Sequence, residues 1–275
     1  MSRRASSVDR KNTVGIARKP KFAPLTFSEQ DGVRFLHFGT IWVQGAMRLR
    51  KPFKLELEYA QQMMSWLLFM DAPAHIVQLG LGTASLTKFC WRHMSTSHIS
   101  AVELNPAVIS CAHSMFALPA EDERLQVIEE DAGTWIAHPK IAHSIDILQV
   151  DLYDATARGP VLESVEFYQA CYRALRKPGI LTVNLFGDHP SYQRNVRNLQ
   201  KAFDNRVLCL PEVHQGNVIA LAFNGPPLAI TWDKLCQRAL ELEAQYELPA
   251  RKWVKGLRKQ LTEKNASMFI ETLSI

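Results

Sequence analysis

The fold class predicted for this 275-residue chain is a doubly wound, Rossmann-like α/β sheet with a small N-terminal β-strand unit. Three observations predict it. Apolar runs of strand length alternate with amphipathic segments of helix length from His75 onward, the first run ends in the glycine pair Gly80 and Gly82, and the next three each deliver a carboxylate. Those carboxylates are Glu103, Asp131 and Asp151, the last followed by Asp154.

The elements follow in order. Val33-Arg-Phe-Leu-His-Phe and Ile41-Trp-Val-Gln-Gly-Ala-Met read as two strands of a hairpin joined at Gly39 and Thr40. Pro52 precedes an apolar-periodic helix expected over 55–70. Beyond the first sheet strand, helices are expected over 84–93, 106–116, 132–138, 161–175 and 191–203, and strands over 98–102, 125–130, 145–150, 180–185, 206–210 and 217–223. Lys177-Pro-Gly reads as the stop signal of the 161–175 helix. The last two runs, separated by His214-Gln-Gly-Asn, are spaced as an antiparallel hairpin at the sheet edge, an ending typical of class I methyltransferase-type sheets. Helical spacing over 230–262, with Arg258 and Lys259 in a basic last turn, reads as a C-terminal appendage. The expected division is a basic tail (1–24), an N-terminal β unit plus helix (25–72), a nucleoside-binding domain (73–225) and the appendage (226–275).

Composition bounds the function. With 47% apolar and 21% charged residues the chain is that of a soluble globular protein. The formal charge is +5, but the first 21 residues hold seven Lys or Arg against Asp9 alone, so the rest is nearly neutral. That body lacks the basic face a nucleic-acid substrate demands, and no nucleic-acid partner is expected. The longest apolar stretch, Met63 to Met70, is too short to span a bilayer. Five scattered cysteines without a C-x-x-C pair indicate neither zinc nor a disulfide framework and read as buried thiols in a reducing, cytoplasmic compartment. No metal site is expected.

The strand ends describe a nucleoside pocket. Glycines let the backbone turn tightly against a ligand, and a carboxylate some twenty residues on is the usual partner of ribose hydroxyls, here Glu103. Ala84 and Ser85 stand where a dinucleotide fingerprint would want its third glycine, which argues against nicotinamide or flavin. A ligand of the S-adenosylmethionine type, with no phosphate to cradle, fits better.

Val150-Asp-Leu-Tyr-Asp-Ala, then Gly159-Pro-Val-Leu-Glu-Ser-Val-Glu-Phe-Tyr and Arg176-Lys-Pro-Gly-Ile-Leu, carry a resemblance. This set resembles the spermidine synthase (polyamine aminopropyltransferase) family over roughly residues 33–224. The resemblance implies transfer of an aminopropyl group from decarboxylated S-adenosylmethionine, a co-substrate rather than a prosthetic group, to an amine such as putrescine. It also implies a homodimer. By position, Gly80, Gly82, Thr83, Glu103, Asp131 and Ala132 would bind the nucleoside, Asp151 would accept the proton of the attacking amine, and Asp154 would orient that amine. Gln44, Arg48 and Tyr153 are the candidate substrate contacts.

Three departures mark a divergent member. Thr83 stands in the glycine turn where the family has an acid; Gln44-Gly-Ala-Met-Arg48 replaces Asp-Gly-x-x-Gln; and the Tyr-His-Glu triplet is absent, with Glu56, Glu58 and Tyr59 nearby but out of register. Arg48 would repel a diamine and could instead grip a carboxylate. Two alternatives therefore stand beside aminopropyl transfer: a transferase using intact S-adenosylmethionine on an unidentified acceptor, and a non-catalytic nucleoside-binding homologue.

Overall fold

The computed structural model describes residues 22–153, 161–214, 216–264 and 272–275, so nearly all of the basic tail, Asp154 and the Gly159-Pro pair lie outside the described residues. Three antiparallel strands open the described chain: β1 (Leu25–Gln30), β2 (Val33–Phe38) and β3 (Gly45–Arg48), in the order β1-β2-β3. Asp31-Gly32 joins β1 to β2, both residues at positive φ (52° and 73°), the two-residue turn whose twist matches its flanking strands. β1 lies before the two strands expected here; its alternation is short, Leu25 and Phe27 against Thr26 and Ser28, and polar residues follow. The partner of β2 begins later than expected. Pairing begins at Gly45, opposite Leu36, and residues 39–44 form a loop on which Ile41 is 90% exposed.

The helix expected over 55–70 is a short α1 (Glu58–Gln62) running into a 3-10 turn, Met63–Leu68. Every side chain of that turn is buried, so packing on all sides, rather than one amphipathic face, sets its conformation.

Seven strands form the central sheet: β4 (His75–Leu79), β5 (His98–Glu103), β6 (Leu125–Glu129), β7 (Ile145–Val150), β8 (Leu175–Phe186), β9 (Val207–Cys209) and β10 (Asn217–Asn224). Their order is β6-β5-β4-β7-β8-β10-β9, and only β10 runs antiparallel to its neighbours. Its insertion between β8 and β9 is the expected closing hairpin. The central strands are covered on both faces, which is why all six residues of β7 are buried, the polar Asp146 and Gln149 among them. Alternate residues serve opposite cores: Ile76 and Ile147 face one, Val77, Leu79, Leu148 and Val150 the other.

Helices α2 (Ser85–His93) and α3 (Pro106–Met115) supply the first core, and α4 (Ala132–Ala137), α5 (Val165–Ala174) and α6 (Tyr192–Ala202) the second. Asn105 and Ser164 cap α3 and α5 by accepting from backbone N–H groups. The Lys177-Pro-Gly stop signal falls inside β8 rather than at the end of α5. Pairing with β7 jumps from Ile145↔Leu175 to Ile147↔Ile180, so residues 176–179 bulge out of the ladder.

The helical spacing expected over 230–262 corresponds to two helices, framed by a strand pair. β11 (Ala229–Thr231) pairs with β12 (Thr272–Ser274), and between them α7 (Trp232–Tyr246) and α8 (Ala250–Lys264) place Leu235, Leu242, Trp253 and Leu257 in the same core as α2. These helices cover one face of the sheet. Among the cysteines, Cys90, Cys111 and Cys171 are buried, while Cys209 is half-buried and Cys236 is exposed on α7.

Candidate active site

A cavity of about 1180 Å³ opens over the C-terminal ends of β4, β5, β7 and β8, roofed by the 39–44 loop and its apolar Ile41, Trp42 and Val43. Gly80 takes φ +87° directly after β4, and a Cβ there would stand 2.3 Å from the main-chain oxygen of Asp151. The absence of a side chain is therefore what lets β4 and β7 end side by side. Gly80 N–H donates to the Val102 carbonyl (2.8 Å) and Asp151 N–H to that of Leu79 (2.9 Å), tying three strand ends together.

Glu103, at the end of β5, accepts from the backbone N–H of Leu81 (2.9 Å) and of Asn105 (2.8 Å). Burial pushes its carboxyl up, and these N–H groups pull it back. Asp131 caps α4, one oxygen accepting from both the N–H (2.8 Å) and the hydroxyl (2.9 Å) of Thr134, and it lines the cavity beside Ala132. Capping and cavity lining coexist in that residue.

At the other end of the cavity, Asp151 follows β7. Asn184, on β8, donates its Nδ2–H to Asp151 Oδ1 at 2.9 Å, and the Tyr59 phenol of α1 hydrogen-bonds the same carboxylate. Burial pushes the Asp151 carboxyl up to about 6, opposed by those two donors. The Tyr59 phenol is raised well above its ordinary value, first by burial and then by the Asp151 charge. Tyr153 lines the wall, its hydroxyl donating to the Asn184 carbonyl at 3.3 Å. Gln44 lines it from the roof loop, where its N–H donates to the Leu36 carbonyl at 2.8 Å.

Two predicted site residues lie off the cavity wall. The Thr83 side chain is buried under β3, its Oγ1 2.8 Å from Ser85 Oγ and in the space a Cβ on Gly45 would need. Arg48 pairs with Glu56, its Nε donating at 2.9 Å to Oε2 and a second guanidinium nitrogen to Oε1, a two-point grip that also raises the arginine further. Arg48 thus spends Nε and one terminal nitrogen on Glu56, and it is not among the residues that line the cavity. Arg48→Ala is accordingly expected to leave the Michaelis constants of donor and acceptor within about twofold of wild type, since a solvent-facing pair contributes little. A tenfold rise in either, in steady-state kinetics, would return Arg48 to the site.

Tyr59 and Asn217 are the wall residues that reading the sequence missed. Tyr59 had been set aside as out of register, and Asn217 is the single polar residue opening an otherwise apolar run, a signal legible only once β10 is known to neighbour β8.

Residues 56–223 match the family model described as the spermine/spermidine synthase domain. The chain belongs to the spermine/spermidine synthase family. Two proteins named polyamine aminopropyltransferase share this family likeness over nearly their whole length. The one from Neisseria meningitidis serogroup A is 36% identical over 87% of this chain and 91% of its own, and the one from Chromobacterium violaceum 34% identical over 84% and 88%. Solved structures agree on the fold. A probable spermidine synthase from Corynebacterium glutamicum superposes with a TM-score of 0.65 (18% identity; 85% of this chain, 91% of that one). A spermidine synthase in complex with the transition-state analogue AdoDATO superposes at 0.63 (18% identity; 88% of each). In this synthase-family chain no described helix is long and apolar enough to cross a membrane.

Proposed function

We propose that the protein is an aminopropyltransferase that moves the three-carbon amine of decarboxylated S-adenosylmethionine to a small-molecule amine such as putrescine, with Asp151 as the base. The observation that carries this reading is Asp151 itself, a carboxylate at the cavity wall held between Tyr59 and Asn184. Glu103 would take the ribose hydroxyls, Asp131 and Ala132 the adenine edge, and the turn at Gly80 and Gly82 the close approach of the nucleoside. Asp154 would orient the acceptor, with Gln44 and Tyr153 as further contacts. A cytoplasmic homodimer completes the proposal, the three buried free thiols supporting a reducing compartment.

The chemistry needs a base and a leaving group. The acceptor arrives as an ammonium and cannot attack until it loses a proton, which Asp151 takes. The freed lone pair then forms a C–N bond to the carbon next to the sulfonium. The C–S bond breaks with its electron pair going to sulfur, which leaves as a neutral thioether. The proton on Asp151 passes to solvent, so the reaction releases one proton overall.

Because Asp151 must be ionised, kcat/KM should fall as pH drops through about 6, the value to which burial raises its carboxyl. A profile flat from pH 5 to 8 would count against Asp151 as base. Donor choice tests the proposal more broadly: calorimetry should show tighter binding of decarboxylated than of intact S-adenosylmethionine. Preference for the intact donor would move the activity to another class of transfer.

A further inference from the structure

A primary amide has one accepting and one donating end, so in a chain of amides each member dictates the direction of the next. Asn217, the first residue of β10, donates its Nδ2–H to Asn184 Oδ1 at 2.9 Å and lies 3.4 Å from the Tyr153 hydroxyl. Asn184 in turn donates to Asp151 Oδ1 at 2.9 Å. Both amides are nearly buried, at 8% and 2% exposed, so little of either is left free to turn. Were Asn184 rotated by half a turn, its oxygen would confront the carboxylate and its NH₂ would confront that of Asn217. Only one orientation satisfies all three groups.

We propose that Asn217 is a positioning residue for the transfer reaction: by claiming the oxygen of Asn184 it aims the Asn184 NH₂ at Asp151, holding that carboxylate ionised and oriented toward the acceptor amine. The proposal rests on Asp151 being the base. It explains why a strand running antiparallel to the rest enters the site: its first residue stands beside the end of β8, where Asn217 pairs with Phe186. The titratable groups around Asp151 are Tyr59 from α1 and Tyr153 from its own loop; His189, from the loop after β8, and Glu103 and Asp131 line the same cavity.

Asn217→Asp separates this role from simple packing, because it keeps the shape and reverses the hydrogen-bond direction. A carboxylate there would draw the Asn184 NH₂ to itself and turn the amide oxygen toward Asp151. The acid limb of the pH profile of kcat/KM is expected to move up by about one unit, the worth of a lost hydrogen bond to a charged group. kcat should fall about tenfold with the KM for donor unchanged, while Asn217→Ala gives a smaller shift in the same direction. Asn217→Ala, which removes the donor without adding a charge, serves if the carboxylate variant does not fold. Wild-type kcat and pH profiles in the folded variants, with Asp151→Asn inactive, would overturn the proposal. An active Asp151→Asn would instead remove the base on which it rests.

Discussion

Asp151→Asn should lower kcat by about 10²- to 10⁴-fold, the range associated with removing a positioned general base. The amide keeps the size of the carboxyl and its contacts with Asn184 and Tyr59 can re-form with altered polarity, so the loss is expected in the chemical step rather than in folding. Linkage gives an independent check on that distinction. The folded-state carboxyl titrates near 6 against an ordinary 3.8, so the folded protein binds the extra proton between those values and loses stability as pH rises through them. Removing the charge removes that loss. The variant should therefore melt at or above the wild-type temperature at pH 8 while being nearly inactive. Full activity in steady-state assays, or a variant that is inactive because it is unfolded, would each contradict this account of Asp151.

Gly80→Ala is the second substitution with a large expected effect. Its Cβ would lie 2.3 Å from the Asp151 carbonyl oxygen, a backbone atom that cannot swing aside, and φ at this position is +87°. Steric displacement and left-handed strain together cost on the order of 3 kcal/mol. Relief requires β4 and β7 to separate at their ends, which displaces Asp151, and a 1 Å displacement of a reacting group can cost about 10²-fold in rate. Gly82 is the internal control. Although it also has positive φ (+53°), an added Cβ would meet nothing closer than the Gln44 carbonyl at 3.6 Å. Gly82→Ala should cost about 1 kcal/mol of stability, well under the cost at Gly80. Equal melting temperatures for the two variants would show that the contact with Asp151 is not what demands glycine at position 80.

The middle of the parallel sheet was legible because its strands are buried on both faces: runs such as Ile76–Leu79 and Ile145–Val150 are buried along their whole length, and the chain emerges at the sheet end after each. Glu103 and Asp151 could be found for that reason, whereas Asp131 follows the edge strand β6, of which only Leu125 is buried; all three line the cavity. Elements whose identity depends on tertiary surroundings were not legible. β1 offers only Leu25 and Phe27 at alternate positions before the turn Asp31-Gly32, and the turn Met63–Leu68 is buried all round, Ser65 included. Within the site, Thr83 and Arg48 stand at the right distance in sequence, but Thr83 is spent packing under Gly45 and Arg48 on Glu56. Conversely, Tyr59 and Asn217 reach Asp151, directly and through Asn184, only because α1 and β10 pack beside the end of β7 and β8. Departures from a motif mislead where a neighbour in space, rather than in sequence, decides what a side chain touches.

Aminopropyl transfer itself is tested most directly by the mass of the product. Purified protein incubated with decarboxylated S-adenosylmethionine and putrescine should yield the acceptor enlarged by one aminopropyl group together with the released thioether nucleoside, and Asp151→Asn should yield neither at a comparable rate. A methylated acceptor formed from intact S-adenosylmethionine, with no product from the decarboxylated donor, would contradict the assignment.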